Sequence, residues 1–340
     1  MSVPLLEINN LVTSFRINDE YYPAVDGVSL KVHNDEVLAI VGESGCGKSA
    51  LALSIMQLHR SDKTSIKGRI YLKGQDLLSA SRNQLDKIRG KEVGMIFQDS
   101  LTALNPLMTV EKQIIENMDY HLSLSKAAMK ERVLELLDAV GIHEPKRIAA
   151  QYPHELSGGM RQRVMIALAV ACNPELVIAD EPTTALDVTI QAQVIALLRK
   201  VQQDSHSGII LITHNLGVVA EIADRVAVMY AGQIVELADV MTLFTHPLHP
   251  YTRSLLNSIP STTNVRDKLH VIQGVVPSIQ NIPRSGCRFA ARIPWVDAHE
   301  HEENPQLHEV EAGHWVRCTC YRNFSFPDDT QEGAVQNALS

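Results

Sequence analysis

The chain has 340 residues, of which 45% are hydrophobic and 21% charged, and its formal net charge is −8. This length allows one large domain or two moderate ones, and the negative charge excludes a general attraction to nucleic acid or anionic lipid. No apolar run approaches the roughly 20 residues that span a bilayer, and the N-terminus lacks a secretory signal, so we expect any contact with a membrane to be peripheral. Five cysteines in a chain of this length do not indicate a disulfide scaffold, so we expect a cytosolic protein.

The first third of the chain predicts a small antiparallel sheet. Residues Leu5–Arg16, Ala24–Val32 and Arg69–Lys73 alternate roughly between apolar and polar positions, as half-buried strands do, and turns separate them. Phe15 could offer an aromatic face to a purine base, although a core position at the strand edge explains it equally well.

A glycine-rich stretch, Gly42–Ser49, lies between the apolar run Val37–Val41 and the helix-forming segment Ala50–Met56. A turn from a buried strand into a helix is the context that the phosphate-loop pattern G-x-x-x-x-G-K-[ST] requires. The helix N-terminus adds partial positive charge, Lys48 can reach the outer phosphates, and the Ser49 hydroxyl can bind Mg²⁺. We therefore predict a nucleotide site here rather than a chance glycine-rich turn.

The next buried strand, Val93–Phe97, ends at Gln98, and the composition then becomes helical from about Thr109 to Val170. Ser125 is a plausible N-cap for a helix with a buried stripe, which Gly141 ends. This segment predicts a helical insertion in a mixed α/β domain.

A polar stretch, Leu156–Gln162, precedes a predicted helix over Arg161–Cys172. Ser157 suits an N-cap, and Gly158 and Gly159 allow another molecule to approach closely. Taken alone, the stretch is more typical of a well-capped helix, because helix caps are common.

Two carboxylates, Asp180 and Glu181, end the apolar strand that starts at Leu176. The carboxyl edge of a parallel sheet is where ligands bind, so Asp180 suits Mg²⁺ and Glu181 is free to orient or deprotonate a water. A predicted helix, Thr189–Val201, and a further strand, Gly208–Thr213, follow. His214 at the end of that strand can donate a hydrogen bond to a phosphate oxygen.

After a strand pair, Arg225–Tyr230 and Gln233–Glu236, the composition changes at about residue 245. A Pro-rich linker, His246–Tyr251, leads into a short predicted helix, Tyr251–Ser258. The remainder is rich in Pro, His and acids, and its cysteines and histidines either contribute to a metal site or lie scattered in a solvated tail; they are Cys287, Cys318, Cys320, His299, His301, His308 and His314.

Taken in order, these motifs resemble the ATP-binding subunit of an ABC transporter over residues 1 to about 240. Gly42–Ser49 resembles Walker A, Gln98 the Q-loop glutamine, Leu156–Gln162 the signature, Leu176–Glu181 Walker B, and His214 the switch histidine. The resemblance implies a catalytic set of Glu181, His214, Gln98 and Lys48, and an Mg²⁺ set of Ser49, Gln98 and Asp180. It also implies contacts with ATP from Phe15 (with Tyr21 or Tyr22 as alternatives), Gly42, Ser44, Gly45, Cys46, Gly47, Lys48, Ser49, Ala50, Ser157, Gly159 and the D-loop residue Asp187.

More narrowly, the chain resembles the ATPases of the dipeptide/oligopeptide/nickel importer family, on its tail motifs His249–Thr252 and Gly286–Phe289 as well as on the ATPase motifs. The resemblance implies MgATP hydrolysis that powers peptide import at the cytoplasmic face of the cell membrane. The implied partners are a second ATP-binding subunit, usually a different chain, two transmembrane permeases and, indirectly, an extracytoplasmic peptide-binding protein. Import of nickel chelates is an alternative. Action on nucleic acid fits less well, because the chain lacks long coiled-coil insertions and a second cassette.

Family members often carry a four-cysteine iron–sulfur motif in the tail. Cys287 and Cys318 resemble its first and last cysteines, but Ile293 occupies the second position and the third, near Glu300, is also missing. Two thiolates do not hold an ordinary four-thiolate cluster, although His299, His301 or Cys320 could substitute for the missing cysteines.

A smaller departure from the family pattern is Asn215, which follows the switch histidine where the family usually has Asp.

The sequence as a whole predicts an α/β fold. Its core is an ABC-type P-loop NTPase with a mostly parallel sheet, an antiparallel β subdomain and a helical subdomain. We expect the ATPase domain over residues 1–245, with the helical subdomain at about 100–170, and a C-terminal extension over 246–340.

Overall fold

The computed structural model describes residues 3–183, 188–258 and 274–326. Within those ranges the chain folds around two sheets. None of the helices there is both long enough and apolar enough to cross a membrane.

The strands are β1 Leu6–Ile17, β2 Glu20–Val32, β3 Val37–Val41, β4 Thr64–Leu72, β5 Gln75–Asp76, β6 Val93–Ile96, β7 Leu176–Asp180, β8 Gly208–Thr213, β9 Arg225–Tyr230, β10 Gln233–Asp239, β11 Leu307–Glu311 and β12 His314–Arg317. The α-helices are α1 Lys48–Ile55, α2 Arg82–Ile88, α3 Ser100–Ala103, α4 Val110–His121, α5 Lys126–Ala139, α6 Pro145–Ala149, α7 Gly158–Ala169, α8 Val188–Ser205, α9 Leu216–Ile222, α10 Val240–Thr245 and α11 Pro250–Asn257.

The main sheet has eight strands in the order β11-β12-β10-β9-β3-β8-β7-β6. Strands β9, β3, β8, β7 and β6 run parallel, and β10, β12 and β11 add antiparallel pairs at one edge. Every residue of β3, β6, β7 and β8 is buried, which explains their continuous apolar sequences, since helices cover both faces of such a sheet. The predicted mostly parallel sheet is confirmed.

The smaller sheet is antiparallel in the order β2-β1-β4-β5, as the alternating segments predict. Strand β4 begins at Thr64, five residues before the predicted start, because its first residues pair with β1 as far as Phe15. The apolar faces of β1, β2 and β4 pack with α1 in one buried cluster. The smaller sheet therefore supports the helix that follows the glycine-rich loop.

Helices α3 to α7 form the helical region predicted near residues 100–170. Ser125 caps α5 by accepting a hydrogen bond from the Ala128 N–H at 3.2 Å, and its predicted apolar stripe is buried. The helix predicted from Arg161 instead begins at Gly158, because Ser157 caps it at its first turn. Helix α8 likewise extends beyond its predicted end, to Ser205.

The described part of the C-terminal segment is packed, so the interpretation as a Pro-rich linker and solvated tail is wrong for it. Strand β12 pairs with β10 and thereby extends the main sheet. The fully buried Glu236 carboxylate accepts hydrogen bonds from the backbone N–H groups of Leu248 and His249 and lies 2.8 Å from the His314 ring. One buried carboxylate thus joins the ATPase sheet, the Pro-rich segment and the C-terminal hairpin.

Strand β6 and helix α7 approach each other closely at Gly94. A Cβ atom there would lie 2.3 Å from the Ala169 carbonyl oxygen and 3.0 Å from Pro174. We expect Gly94→Ala to lower the free energy of unfolding by about 2 kcal/mol through overpacking, measured by urea denaturation followed by circular dichroism. Gly74→Ala is the control, because its Cβ would meet nothing within 4 Å and only its φ of +82° carries strain, of about 1 kcal/mol. Equal stability of the two variants would contradict this packing.

Candidate nucleotide site

The glycine-rich loop connects β3 to α1, as predicted. Gly42 and Gly47 have φ values of +152° and +106°, and a Cβ on either would lie within 2.4 Å of a backbone oxygen, that of Met229 or Ala24. Only glycine fits these two positions. Gly45, with φ of +81°, faces open space instead, where a bound group can approach the backbone.

Lys48 begins α1 and is 5% exposed. Its Nζ donates to the carbonyl oxygens of Gly42 at 2.7 Å and Glu43 at 3.0 Å. The ammonium group is therefore held inside the loop, next to the backbone N–H groups that can bind an anion.

Cys46 is 1% exposed, and burial raises the pKa of its thiol. It belongs to the apolar cluster beneath the loop. The loop therefore presents the backbone of Cys46 rather than a reactive sulfur.

Ser49 and Asp180 bring the loop and strand β7 together. The Ser49 hydroxyl donates to the Asp180 carboxylate over 3.1 Å, and Asp180 is 4% exposed. Burial raises the pKa of Asp180, and the hydrogen bond from Ser49 opposes that shift. A hydroxyl and a buried carboxylate at one sheet edge are the oxygen ligands that Mg²⁺ prefers, so these residues fit that ion.

Glu181 lies at the centre of a second group of contacts. Gln98, which follows β6, donates to the Glu181 carboxylate at 3.1 Å, and the His214 Nδ1 lies 3.5 Å from its other oxygen. Glu181 adopts a left-handed backbone conformation with φ of +47°, which turns its side chain away from the line of β7. The ends of β6, β7 and β8 thus bring together three of the four predicted catalytic side chains.

The other predicted ligands of the nucleotide lie elsewhere or outside the described residues. Ser157 is exposed as the N-cap of α7, and half-buried Gly159 is the second residue of that helix. Phe15 is half-buried on β1, with its ring edge-on to His59 at 5.2 Å. His59 lies beyond the C-terminal end of α1. Stacking of Phe15, or of Tyr21 or Tyr22, on the base of the nucleotide therefore stays a prediction. Asp187 lies outside the described residues.

Two further contacts were not predicted from the sequence: they connect the C-terminal segment to the loop. Arg292 is bidentate to the Glu43 carboxylate, at 2.6 and 3.2 Å, and its side chain is 5% exposed. The hydroxyl of buried Tyr251 accepts from the Glu43 N–H at 2.8 Å. These residues are separated from Glu43 by 249 and 208 positions, and no local pattern marks such a pairing.

Asn215, the departure from the family pattern beside His214, caps α9. Its side chain accepts from the backbone N–H groups of Gly217 at 3.0 Å and Val218 at 3.4 Å. Asp and Asn cap helices about equally well, so Asn215 can fix the start of α9 as the family's Asp would, and the position of the neighbouring His214 is retained.

Comparison with known proteins agrees with this geometry. The family model described as ABC transporter matches residues 25–184, and the one described as Oligopeptide/dipeptide transporter, C-terminal region, matches residues 235–298. The chain is 49% identical over 330 residues to the oligopeptide transport ATP-binding protein OppD of Lactococcus lactis subsp. cremoris, covering 97% of this chain and 98% of that protein. It is 51% identical over 334 residues to the oligopeptide transport ATP-binding protein AppD of Bacillus subtilis, covering 98% and 99%.

Among solved structures, the chain is similar to the dimeric post-hydrolysis state of the ATP-binding cassette MJ0796 bound to ADP and Pi. The TM-score is 0.63 at 27% identity, with 69% of this chain and 98% of that chain covered. A second similar structure is cbiO1 from Clostridium perfringens, with a TM-score of 0.61 at 26% identity, covering 72% and 92%.

The Arg292–Glu43 pair predicts energetic coupling between the C-terminal segment and the loop. We expect Glu43→Gln and Arg292→Gln each to lower the free energy of unfolding by about 2 kcal/mol, because each removes one charge of a partly buried ion pair. The double variant should lose less than the sum, with a coupling energy of about 1 to 3 kcal/mol in urea denaturation. Arg60→Gln and Asp62→Gln form the control cycle, because that pair is exposed. Strictly additive losses at Glu43 and Arg292 would contradict the coupling.

Proposed function

The chain belongs to the ABC transporter ATPase family and carries the oligopeptide/dipeptide C-terminal region, and from this premise we propose that it hydrolyses ATP to power peptide import through partner permeases. The observation that carries the proposal is the convergence of Ser49, Asp180, Gln98, Glu181 and His214 at one sheet edge beside the loop. The full-length similarity to oligopeptide transport ATP-binding proteins supports peptides as the cargo.

Phosphoryl transfer to water needs positioning and charge stabilisation rather than covalent catalysis. Glu181 is the group that orients and deprotonates the attacking water, because its carboxylate lies between Gln98 and His214. Lys48 and the loop N–H groups hold the β- and γ-phosphates, and His214 donates to the γ-phosphate.

Ser49, Asp180 and Gln98 are the residues that would hold Mg²⁺. An ion held there would supply positive charge that offsets the negative charge of the phosphates. The hydrogen bond between Ser49 and Asp180 supports this assignment, because it brings together two oxygen ligands from separate elements.

The site is completed by a second ATP-binding subunit. Ser157 and Gly158 are exposed at the N-terminus of α7, which points partial positive charge outward. We place this end over the ATP of a facing subunit, with its counterpart covering this chain's loop. The dimeric state of the similar MJ0796 cassette supports the presence of a second subunit. The α7 residue Gln162 also donates to the Pro182 carbonyl oxygen at 2.7 Å, which links the signature helix to the segment after Glu181.

We propose that a permease subunit binds in the groove between the Q-loop and the helical region. This groove has a volume of about 720 Å³, and its lining includes Phe97 and Tyr120. Tyr120 is 64% exposed and Phe97 36%, and exposed aromatic residues around a groove are typical of a protein interface. Docking there would hold the chain at the cytoplasmic face of the membrane as a peripheral subunit and would couple permease motion to Gln98.

Glu181→Gln keeps the side-chain volume but removes the base. We expect steady-state ATP hydrolysis by the assembled transporter to fall at least about 100-fold, while ATP binding is retained. The matched control is Glu175→Gln, which alters an exposed carboxylate before the same strand. Normal turnover by Glu181→Gln would remove Glu181 from the role of general base.

Ser157→Arg should damage the site formed with the facing subunit. We expect the affinity of this chain's own loop for ATP to stay unchanged, while hydrolysis by the assembled complex falls at least about tenfold because a bulky cation replaces the cap. Ser125→Arg is the control, because it removes an equivalent N-cap from α5. Loss of ATP affinity in the isolated chain would argue against completion in trans.

A further inference from the structure

The described part of the C-terminal segment brings four metal-binding side chains together. The ligand atoms of Cys287, His301, Cys318 and Cys320 all lie within 4.8 Å of one another. Cys318 and Cys320 are at most 1% exposed, and Cys287 and His301 are half-buried. We propose that these four residues bind one Zn²⁺ ion.

The backbone around the group is arranged to direct the cysteines inward. Cys318 directly follows β12 and has φ of +70°, an unfavourable conformation for a residue with a Cβ. The Thr319 hydroxyl donates to the Glu300 carbonyl oxygen at 3.2 Å, which fixes the Cys318–Cys320 turn against the turn that carries His301. Ligands from three separate stretches are thereby held in one place.

The His301 ring provides an independent indication of a missing partner. Its Nδ1 atom is buried and has no hydrogen-bond partner within the described residues, a state shared there by only two other side-chain polar atoms, in His33 and Thr252. Buried polar atoms are nearly always paired, so an unpaired ring nitrogen beside three thiols indicates a ligand. Histidine nitrogen is an ordinary zinc ligand alongside cysteine sulfur.

The geometry and the ligand set fit a single ion better than an iron–sulfur cluster. In a tetrahedral zinc site with Zn–S bonds of about 2.3 Å, neighbouring sulfurs are about 3.8 Å apart, so ligand atoms within 4.8 Å need only a small contraction. A four-iron cluster places a separate iron at each of four thiolates and holds them farther apart. Here Ile293, at the second position of the family motif, is buried in the apolar cluster, and Glu300 offers no thiolate.

A metal ion binds cysteine as the thiolate, and three of the four side chains in this group are cysteines. Three cysteines and one histidine are a common ligand set of structural zinc sites, in which protein side chains occupy all four coordination positions. The ion would fix β12 to residues 287–301, which carry Arg292 and its contact with the phosphate loop.

The test measures metal directly and therefore does not rest on the proposed function. The full chain, purified anaerobically without a metal-binding tag, is analysed for zinc, iron and acid-labile sulfide. We expect about one zinc ion per chain and no stoichiometric iron. About four irons with sulfide, or a metal-free protein whose Cys287, Cys318 and Cys320 all react with a thiol reagent, would overturn the proposal.

Variants then assign the ligands. Cys320→Ser should lower zinc affinity at least about tenfold in a chelator competition, whereas His301→Cys should retain zinc as a four-cysteine site. Cys172→Ser is the matched control, because Cys172 is a buried free cysteine outside the group. Replacement of zinc by Co²⁺ should give the visible absorption of a tetrahedral cobalt thiolate in the wild type. Unchanged zinc affinity in Cys320→Ser, or octahedral cobalt spectra, would refute the ligand set.

Discussion

The alignment of the buried parallel strands is the constraint on which the rest of the structure depends. Strands β3, β6, β7 and β8 are buried along their whole length, and the polar side chains of the site lie at or shortly after their carboxyl ends. Because these ends meet at one edge, Ser49, Gln98, Asp180, Glu181 and His214 come together although they span 166 positions of sequence. The chemistry therefore depends on the register of a sheet whose central strands are buried. Burial of Asp180 also strengthens the electrostatic interaction of its carboxylate with any cation.

The phosphate loop is supported from both sides of the molecule. The smaller sheet packs beneath α1, and the Ala24 carbonyl leaves room only for glycine at position 47. From the opposite side, Tyr251 and Arg292 hold the Glu43 backbone and side chain. The C-terminal segment, which shares the main sheet through β12, therefore contributes to the nucleotide site rather than forming an independent appendage. The domain boundary at residue 245 stays a prediction.

The sequence alone supports the ATPase core, because its signals are local. A strand followed by glycines, Lys48 and Ser49 defines the loop, and runs such as Leu176–Asp180 identify the buried strands, so the fold class and the position of Glu181 at a strand end could be predicted. The contacts of Arg292 and Tyr251 could not, because they connect residues more than 200 positions apart. The sequence indicates Cys287 and Cys318 as candidate ligands with His299, His301 or Cys320 as substitutes, but which of them meet is decided only when the turns bring three stretches together. Observed helix starts differ from the predicted ones by one to three residues, because apolar periodicity does not fix where a helix begins.

Affinity for MgATP tests most directly the central claim that this sheet edge and loop bind the nucleotide. Isothermal titration calorimetry of the full chain should show that Lys48→Ala weakens binding at least about tenfold, because a charged contact with the phosphates is lost. Lys200→Ala, an exposed lysine on α8, should bind as the wild type does. Equal affinity of the Lys48→Ala and wild-type chains would contradict the account.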